Sequence, residues 1–151
     1  MIKVTASHYI DTVIHSADKI VHCIKTLLKQ KIDSLNLGIT CEQFLVLDTI
    51  LYHPDIHQQK LSELMMKDKS NMTRILGVLE TKKLITRTIG KHNNRLVNIL
   101  NITPKGKKLI EENLPFIKSF IENIFITLTD EEVKILHNLS DKIQKDLSNK
   151  N

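Results

Sequence analysis

Apolar residues recur at steps of three and four along most of this chain, which is the spacing expected of amphipathic helices. Between residues 84 and 102 the pattern changes to short apolar runs with alternating polar positions, separated by a polar segment at 90–95. Such a change is typical of two strands joined by a turn. The chain is therefore predicted to be mainly α-helical with one small sheet. The predicted helices cover residues 8–32, 41–52, 58–66, 104–128 and 130–147 and a stretch that begins at 69, and the predicted strands cover 84–89 and 96–102.

Several of the predicted helices are preceded by polar residues that are favoured at helix N-termini. The apolar stripe of each helix begins just after them. Thr40 followed by Gln43, and Thr129 followed by Glu132, have the spacing of a capping box, in which each side chain bonds the backbone N–H of the other residue. Asp68 precedes the stripe that begins at 69 and is a favourable N-cap residue. These signals place helix starts at 41, 69 and 130.

The helix that begins at 69 has a distinct polar end. Met72, Ile75, Leu76 and Leu79 lie at steps that form one buried face. Asparagine and arginine side chains can pair with base edges, and serine and threonine can contact bases or phosphates. In a helix-turn-helix, the N-terminal end of the second helix enters the major groove. The residues predicted to face outward at this end are Lys69, Ser70, Asn71, Thr73 and Arg74.

Positive charge is concentrated in one part of the chain. The protein has 22 basic and 17 acidic residues, a formal net charge of +5. Residues 67–95 hold eight of the basic and two of the acidic residues, a net charge of +6. A concentrated basic segment is typical of a surface that binds a polyanion, although a solvated basic face without a partner has the same composition.

Composition and motifs argue against several other classes of protein. No apolar run approaches the ~20 residues of a membrane span, and the N-terminus lacks the pattern of a secretory signal, so we expect a cytoplasmic protein without a membrane partner. No catalytic triad or phosphate-binding loop is recognisable, so neither an enzyme nor a cofactor is predicted. His53 and His57 have no acidic or thiol partner at a metal-binding spacing, so no metal site is predicted.

Four segments, in order, resemble the MarR (multiple antibiotic resistance regulator) family. Residues 40–47 (TCEQFLVL) are similar to the family's LTxxQFxvL, and residues 61–64 (LSEL) are similar to its xLAxx helix. Residues 70–87, which include SNMTR and LETKKLITR, resemble the stretch that ends LExxGLIxR. Residues 102–106 (ITPKG) resemble the LTxxG that follows the wing.

The resemblance implies a winged helix-turn-helix with a two- to three-stranded wing sheet at 36–103, and N- and C-terminal dimerisation helices at 1–35 and 104–151. It implies a homodimeric bacterial regulator, usually a repressor, that binds a pseudo-palindromic site on double-stranded DNA. Release by a small ligand, such as an aromatic or phenolic effector, or by thiol oxidation is also implied. The helix register, the basic hairpin tip and the resemblance together give the predicted DNA-binding residues: Lys67, Lys69, Ser70, Asn71, Thr73, Arg74, Arg87, Lys91, His92 and Arg95.

The sequence departs from the family pattern in three places. Asn93-Asn94-Arg95 stands where the family has Asp-x-Arg in the wing, so a bulge is expected there. Lys83 replaces a glycine before the first strand and must accept a strained turn. The glycine between the two helices of the helix-turn-helix is absent at Met66-Lys67.

Other interpretations stay open at this point. The basic face could dock an acidic protein instead of DNA. Cys23 in the first helix is a candidate redox sensor. The alternative is that it is a buried cysteine with a purely structural role. His8, His15 and His22 share one side of that helix with acidic residues and could sense pH, although a solvated face shows the same pattern.

Overall fold

The computed structural model describes His8 and residues 13–149, which divide into one compact unit that ends at Ile117 and a second that begins at Lys118. The described residues form six helices and a two-stranded sheet, which confirms the mainly α fold. The elements, in chain order, are α1 (Val13–Ser34), α2 (Cys41–Tyr52), α3 (Gln58–Leu64), α4 (Lys69–Thr81), β1 (Ile85–His92), β2 (Arg95–Ile102), α5 (Pro104–Ile124) and α6 (Asp130–Ser148).

The predicted capping residues open their helices. The backbone N–H of Gln43 donates to Thr40 Oγ1 at 3.3 Å, and the N–H of Thr40 donates to Gln43 Oε1 at 3.0 Å, so the first capping box is complete. Thr129 and Glu132 form the second box at the start of α6. Asp68 caps α4. Local sequence alone fixes these starts because each cap satisfies backbone N–H groups that the helix leaves unpaired.

One core fills the first unit. The predicted inner face of α4 is confirmed, since Met72, Ile75, Leu76 and Leu79 are each at most 1% exposed. Helices α2, α3 and α5 add apolar side chains to the same cluster, and the sheet contributes its inner end. These further core residues include Phe44, Val46, Leu47, Ile50, Leu61, Ile85, Leu100 and Ile110.

The sheet is a regular antiparallel hairpin. Its register runs without interruption from Ile85↔Ile102 to His92↔Arg95, so the expected bulge is absent. On the other side of β2, the N–H of Leu100 donates to Ile56 O at 2.9 Å, and His57 forms an isolated bridge to Ile99. The two strands therefore gain a third, very short partner from the segment before α3.

The loop predicted at 90–95 is wrong, because the observed connection between the strands is shorter. Only Asn93 and Asn94 connect the strands, with φ of 49° and 61°. Two consecutive left-handed residues are what a type I′ hairpin turn requires, and asparagine tolerates that conformation better than most residues. Strand pairing therefore continues to His92 and Arg95, which had been assigned to the loop.

Two non-glycine residues adopt left-handed turns where the family pattern has glycine. Met66 has φ of 50° and Lys83 has φ of 59°. The N–H of Leu84 donates to Leu79 O at 2.9 Å and closes the turn after α4. Thr103 Oγ1 then bonds Lys83 O at 2.8 Å and Leu84 O at 3.1 Å, which joins the end of the hairpin to its beginning. The strained backbone at Lys83 is thus held by bonds from a distant part of the chain.

Several predicted helix ends differ from the structure. α1 extends to Ser34 beyond the predicted end at 32, and its predicted first residues at 9–12 lie outside the described residues. α3 stops at Leu64 because the chain reverses at the left-handed Met66. α5 ends at Ile124 instead of 128, and a turn follows in which the N–H of Leu128 donates to Phe125 O at 2.9 Å.

The second unit carries the end of α5 and all of α6. The apolar stripe of α6 exists as predicted, but in the single chain it faces solvent: Leu136, Leu139, Ile143 and Leu147 are between 51% and 58% exposed. None of the helices in the described residues combines the length and apolar character needed to cross a bilayer.

Candidate nucleic-acid interface

The N-terminal turn of α4 presents a polar surface. Asp68 Oδ1 accepts from the N–H of Asn71 at 2.8 Å and fixes the start of the helix. Since the apolar face of α4 is anchored in the core, Lys69, Ser70, Thr73 and Arg74 are exposed on the other side, as predicted. The same turn leaves backbone N–H groups directed outward, which favours an anionic ligand near this end.

Asn71 and Arg74 act as one group on this surface. Asn71 is half-buried, and its Oδ1 accepts from Arg74 Nη2 at 3.0 Å. Bidentate pairing with adenine uses both the oxygen and the nitrogen of an asparagine amide, so Asn71 is committed to Arg74 through its oxygen in this structure. Arg74 is exposed, and its guanidinium has further donors besides the one bonded to Asn71.

Two of the predicted DNA-binding cations are paired with carboxylates of the protein. Lys67 Nζ lies 2.6 Å from Glu42 Oε1, and Arg87 Nε lies 3.1 Å from Glu80 Oε2. The two basic side chains are only 16% and 21% exposed. Their positive charge still contributes to the local potential, but Lys67 links the turn before α4 to α2, and Arg87 links β1 to α4.

The wing presents a cation on each face. Lys91 pairs with Leu96 in the register, and His92 pairs with Arg95. Successive side chains of a strand point to opposite faces, so Lys91 and Arg95 lie on different sides of the hairpin, and both are exposed. A hairpin of this kind can contact phosphates on either side of a narrow groove.

His92 has a partner inside the protein. Its ring centroid lies 4.6 Å from that of His57, with 42° between the ring planes. His57 is the N-cap of α3, and its Nδ1 accepts from the N–H of Lys60 at 3.2 Å. The contact therefore ties the outer part of β1 to the start of the helix-turn-helix.

A groove of about 460 Å³ brings α3, α4 and the wing together. Lys69, Thr73 and Arg87, all predicted from the sequence, share this groove with Gln58 and Ser62 from α3. Gln58 was not predicted: its amide Nε2 donates to Thr73 Oγ1 at 2.8 Å. The only sequence signal for Gln58 is its position as the first residue of α3, the helix that precedes α4 in the chain.

The remaining candidates lie elsewhere. Cys23 is exposed on α1 in the single chain. Cys41 is half-buried at the start of α2, and burial, with the carboxylates of Asp33 and Glu42, raises the pKa of its thiol. Within the described part of the chain, no group of three or more histidine, cysteine or acidic side chains is arranged to hold a metal ion. Of the histidine stripe, His15 is half-buried and His8 and His22 are exposed.

The segment that builds this surface matches a known family. Residues 39–97 match the model described as "MarR family". Over these residues the chain is similar to the MarR family. The match begins before α2 and ends in β2, so it covers helices α2, α3 and α4 and most of the wing.

Curated relatives extend the likeness to most of the chain. The HTH-type transcriptional regulator YsmB of Bacillus subtilis (strain 168) is 28% identical over 90% of this chain and 95% of its own length. The HTH-type transcriptional repressor MdtR of the same organism is 30% identical over 64% of this chain and 61% of its own length. The likeness is thus to proteins named as HTH-type transcriptional regulators.

Solved structures share the fold. The MepR chain of a Staphylococcus aureus MepR–DNA complex superposes with a TM-score of 0.77 at 22% identity, covering 93% of this chain and 99% of that one. Staphylococcus aureus MarR in complex with salicylate and kanamycin superposes with a TM-score of 0.73 at 20% identity, covering 91% of each chain. The winged helix-turn-helix predicted from the sequence is therefore confirmed as the fold.

Proposed function

We propose that this chain is a MarR-family transcriptional regulator that binds a pseudo-palindromic DNA site as a homodimer, with α4 in the major groove and the wing hairpin on the flanking backbone. The observation that carries the proposal is the exposed end of α4, where Lys69, Ser70, Thr73 and Arg74 lie opposite a fully buried apolar face. The wing adds Lys91 and Arg95, and residues 67–95 carry a net charge of +6. The DNA complex of MepR, which has a similar fold, supports DNA as the ligand.

A second copy of this chain is the proposed cover for the exposed apolar stripes. In α1, Val13, Ile14 and Ile20 are 54%, 68% and 54% exposed, and the α6 stripe is exposed to a similar degree. Monomeric soluble proteins rarely leave long apolar stripes in water, and two-fold dimers are the commonest way to bury them. A dimer also suits an operator with two half-sites, about 34 Å apart for one turn of duplex.

We further propose that the dimer is a repressor, acts on DNA in the cytoplasm and is released by a small-molecule ligand. The name of MdtR supports repression, and the salicylate-containing complex of Staphylococcus aureus MarR supports a small aromatic or phenolic effector. Thiol sensing by the exposed Cys23 is the alternative form of release. A cysteine-free variant that still responds to small molecules would favour the ligand.

Binding to bulk genomic fragments, measured by gel shift over a salt series, tests the proposal. The wild type is expected to select particular fragments, and its affinity should fall steeply as salt rises. The double variant Asn71→Ala/Arg74→Ala should lose selection. Arg95→Ala should weaken binding to all fragments alike. The slope of log affinity against log salt concentration should fall by about 1 for each lost phosphate contact. Lys134→Ala, which removes an exposed cation on α6, is the matched control and should change neither.

The opposite results have a clear meaning. If no fragment is selected and the salt slope is near zero, the winged helix does not act on DNA, and capture of an acidic protein partner becomes the working explanation of the basic face. If fragments are selected but the double variant binds as well as the wild type, then α4 is not the recognition element.

A further inference from the structure

The hydroxyl group of Thr73 is already engaged within the protein. Thr73 Oγ1 lies 2.8 Å from Lys69 O and 2.8 Å from Gln58 Nε2. A carbonyl oxygen can only accept, so the single hydroxyl hydrogen of Thr73 is directed to Lys69. The amide nitrogen of Gln58 can only donate, so it occupies one of the two lone pairs on Oγ1.

The orientation of the Gln58 amide is fixed by chemistry. Its oxygen faces Arg87 Nη1 at 3.4 Å, and a guanidinium has donors only. The amide nitrogen must therefore be the end that meets Thr73. Arg87 is in turn held by Glu80, since its Nε lies 3.1 Å from Glu80 Oε2. A continuous series of polar contacts thus runs from the C-terminal half of α4 through β1 and α3 back to the N-terminal half of α4.

This arrangement removes the hydrogen-bond donor of Thr73 from the outer surface. The major-groove acceptors of adenine, guanine and thymine all need a donor from the protein. Thr73 remains exposed in the single chain. Because its hydroxyl hydrogen is bonded to Lys69 O and one lone pair to Gln58, it can present only its methyl and one acceptor lone pair. A threonine methyl can make apolar contact with the C5-methyl of thymine.

We propose that Thr73 selects thymine through its methyl group, and that Gln58 and Arg87 are positioning residues that keep its hydroxyl turned away from the base. The proposal rests on the proposed function, in which the N-terminal half of α4 lies in the major groove. It assigns Arg87 a role inside the protein instead of a phosphate contact, in agreement with its low exposure.

Substitution of deoxyuridine for thymine provides the test, because it removes only the C5-methyl. Duplexes bound by the wild type are first selected from a random library, and each thymine of the selected site is then replaced singly. One position per half-site is expected to lose about fourfold in affinity, the value of roughly one buried methyl group. The variant Thr73→Val, which keeps a methyl but has no hydroxyl, should retain this loss. Thr73→Ser, which keeps the hydroxyl but has no methyl, should bind the two duplexes equally.

The result separates this inference from the function on which it depends. If no duplex is selected by the wild type, DNA recognition itself fails. If a site is selected but no thymine is sensitive, or if Thr73→Ser keeps the sensitivity, the methyl contact is wrong while DNA binding stands. If Thr73→Val loses the preference, the hydroxyl is the reading group and the inference is overturned.

The positioning role of Gln58 has a separate readout. Gln58→Ala frees an acceptor lone pair of Thr73 Oγ1, while the bond to Lys69 O is left in place. The hydroxyl can then accept from the amino group of adenine or cytosine, so selection with this variant should no longer prefer thymine at the sensitive position, while the rest of the selected site is unchanged. Thermal unfolding of the variant serves as the control for folding. An unaltered preference in a folded Gln58→Ala protein would show that the hydroxyl needs no help from α3.

Discussion

Helices α4 and α6 have nearly the same apolar pattern but opposite surroundings. Each begins at a side-chain cap and carries apolar residues at steps of three and four. In α4 these residues are at most 1% exposed, whereas Leu136, Leu139, Ile143 and Leu147 in α6 are more than half exposed. Periodicity therefore specifies which face of a helix needs to be covered, but it does not specify whether the same chain supplies the cover.

The largest effect is expected for Leu76→Ala in α4. Leu76 is fully buried in the core, so its truncation leaves a cavity and should lower the free energy of unfolding by about 2–5 kcal/mol. Chemical denaturation at fixed protein concentration measures the change. A loss below about 1 kcal/mol would mean that this face is covered less tightly than the structure indicates.

The matched truncation in α6, Leu139→Ala, should act mainly on association. Each dimer contains two copies of the substitution, so the dissociation constant is expected to rise on the order of 100-fold. Sedimentation equilibrium measures it, and Asn138→Ala, on the other side of α6, is the control. An unchanged dissociation constant, or a wild type that is monomeric at all concentrations, would contradict the proposed cover by a second copy.

The outward face of α4 allows a third and smaller test at Gly77. A Cβ added at Gly77 meets nothing within 4 Å, and alanine is favoured over glycine in a helix by about 0.8–1.0 kcal/mol. Gly77→Ala should therefore raise the free energy of unfolding by about that amount. Gly38, where a Cβ also has open space but φ is +70°, provides the contrast, since Gly38→Ala should destabilise the protein by about 1 kcal/mol. A Gly77→Ala protein that is stabilised yet binds DNA less tightly would show that the duplex approaches the helix closely there.

The smallest effect is expected at the cap of α6. Glu132 Oε2 accepts from the N–H of Thr129 at 2.8 Å and from its hydroxyl at 3.0 Å, and these bonds, the backbone bond first, lower the pKa of Glu132. Because the folded-state pKa lies below the unfolded value, the stabilisation is present at neutral pH and is lost as pH falls through the folded-state pKa. Glu132→Gln should therefore make the acid part of the stability profile, at and below about pH 4.3, less steep. Parallel profiles for the two proteins would contradict this origin of the shift.

Much of the fold could be predicted because its signals are local. The boxes at Thr40 and Thr129, the cap at Asp68 and the buried set of α4 each depend on residues within a few positions of one another. The two-residue turn at Asn93-Asn94 was missed because six polar residues in a row conceal where strand pairing ends.

Only part of the candidate interface could be predicted, because contacts between residues that are distant in the chain leave no local signal. The exposed end of α4 follows from helix register, so Lys69, Ser70, Thr73 and Arg74 were placed correctly on the surface. The partners that engage Lys67 and Arg87 come from other elements, and Glu42 is 25 residues from Lys67 in the chain. Net charge along a sequence counts such paired cations together with exposed ones, and only the three-dimensional arrangement separates them.

The closure at the foot of the hairpin, where Thr103 bonds the carbonyls of Lys83 and Leu84, has a mechanical consequence. From Ile85 to His92 the strand extends about 23 Å at ~3.3 Å per residue. A rotation of about 5° at the foot would thus displace the tip by about 2 Å, which is enough to make or break a contact with a phosphate. Any rotation at the junction would therefore be amplified at Lys91 and Arg95, which are exposed near the tip.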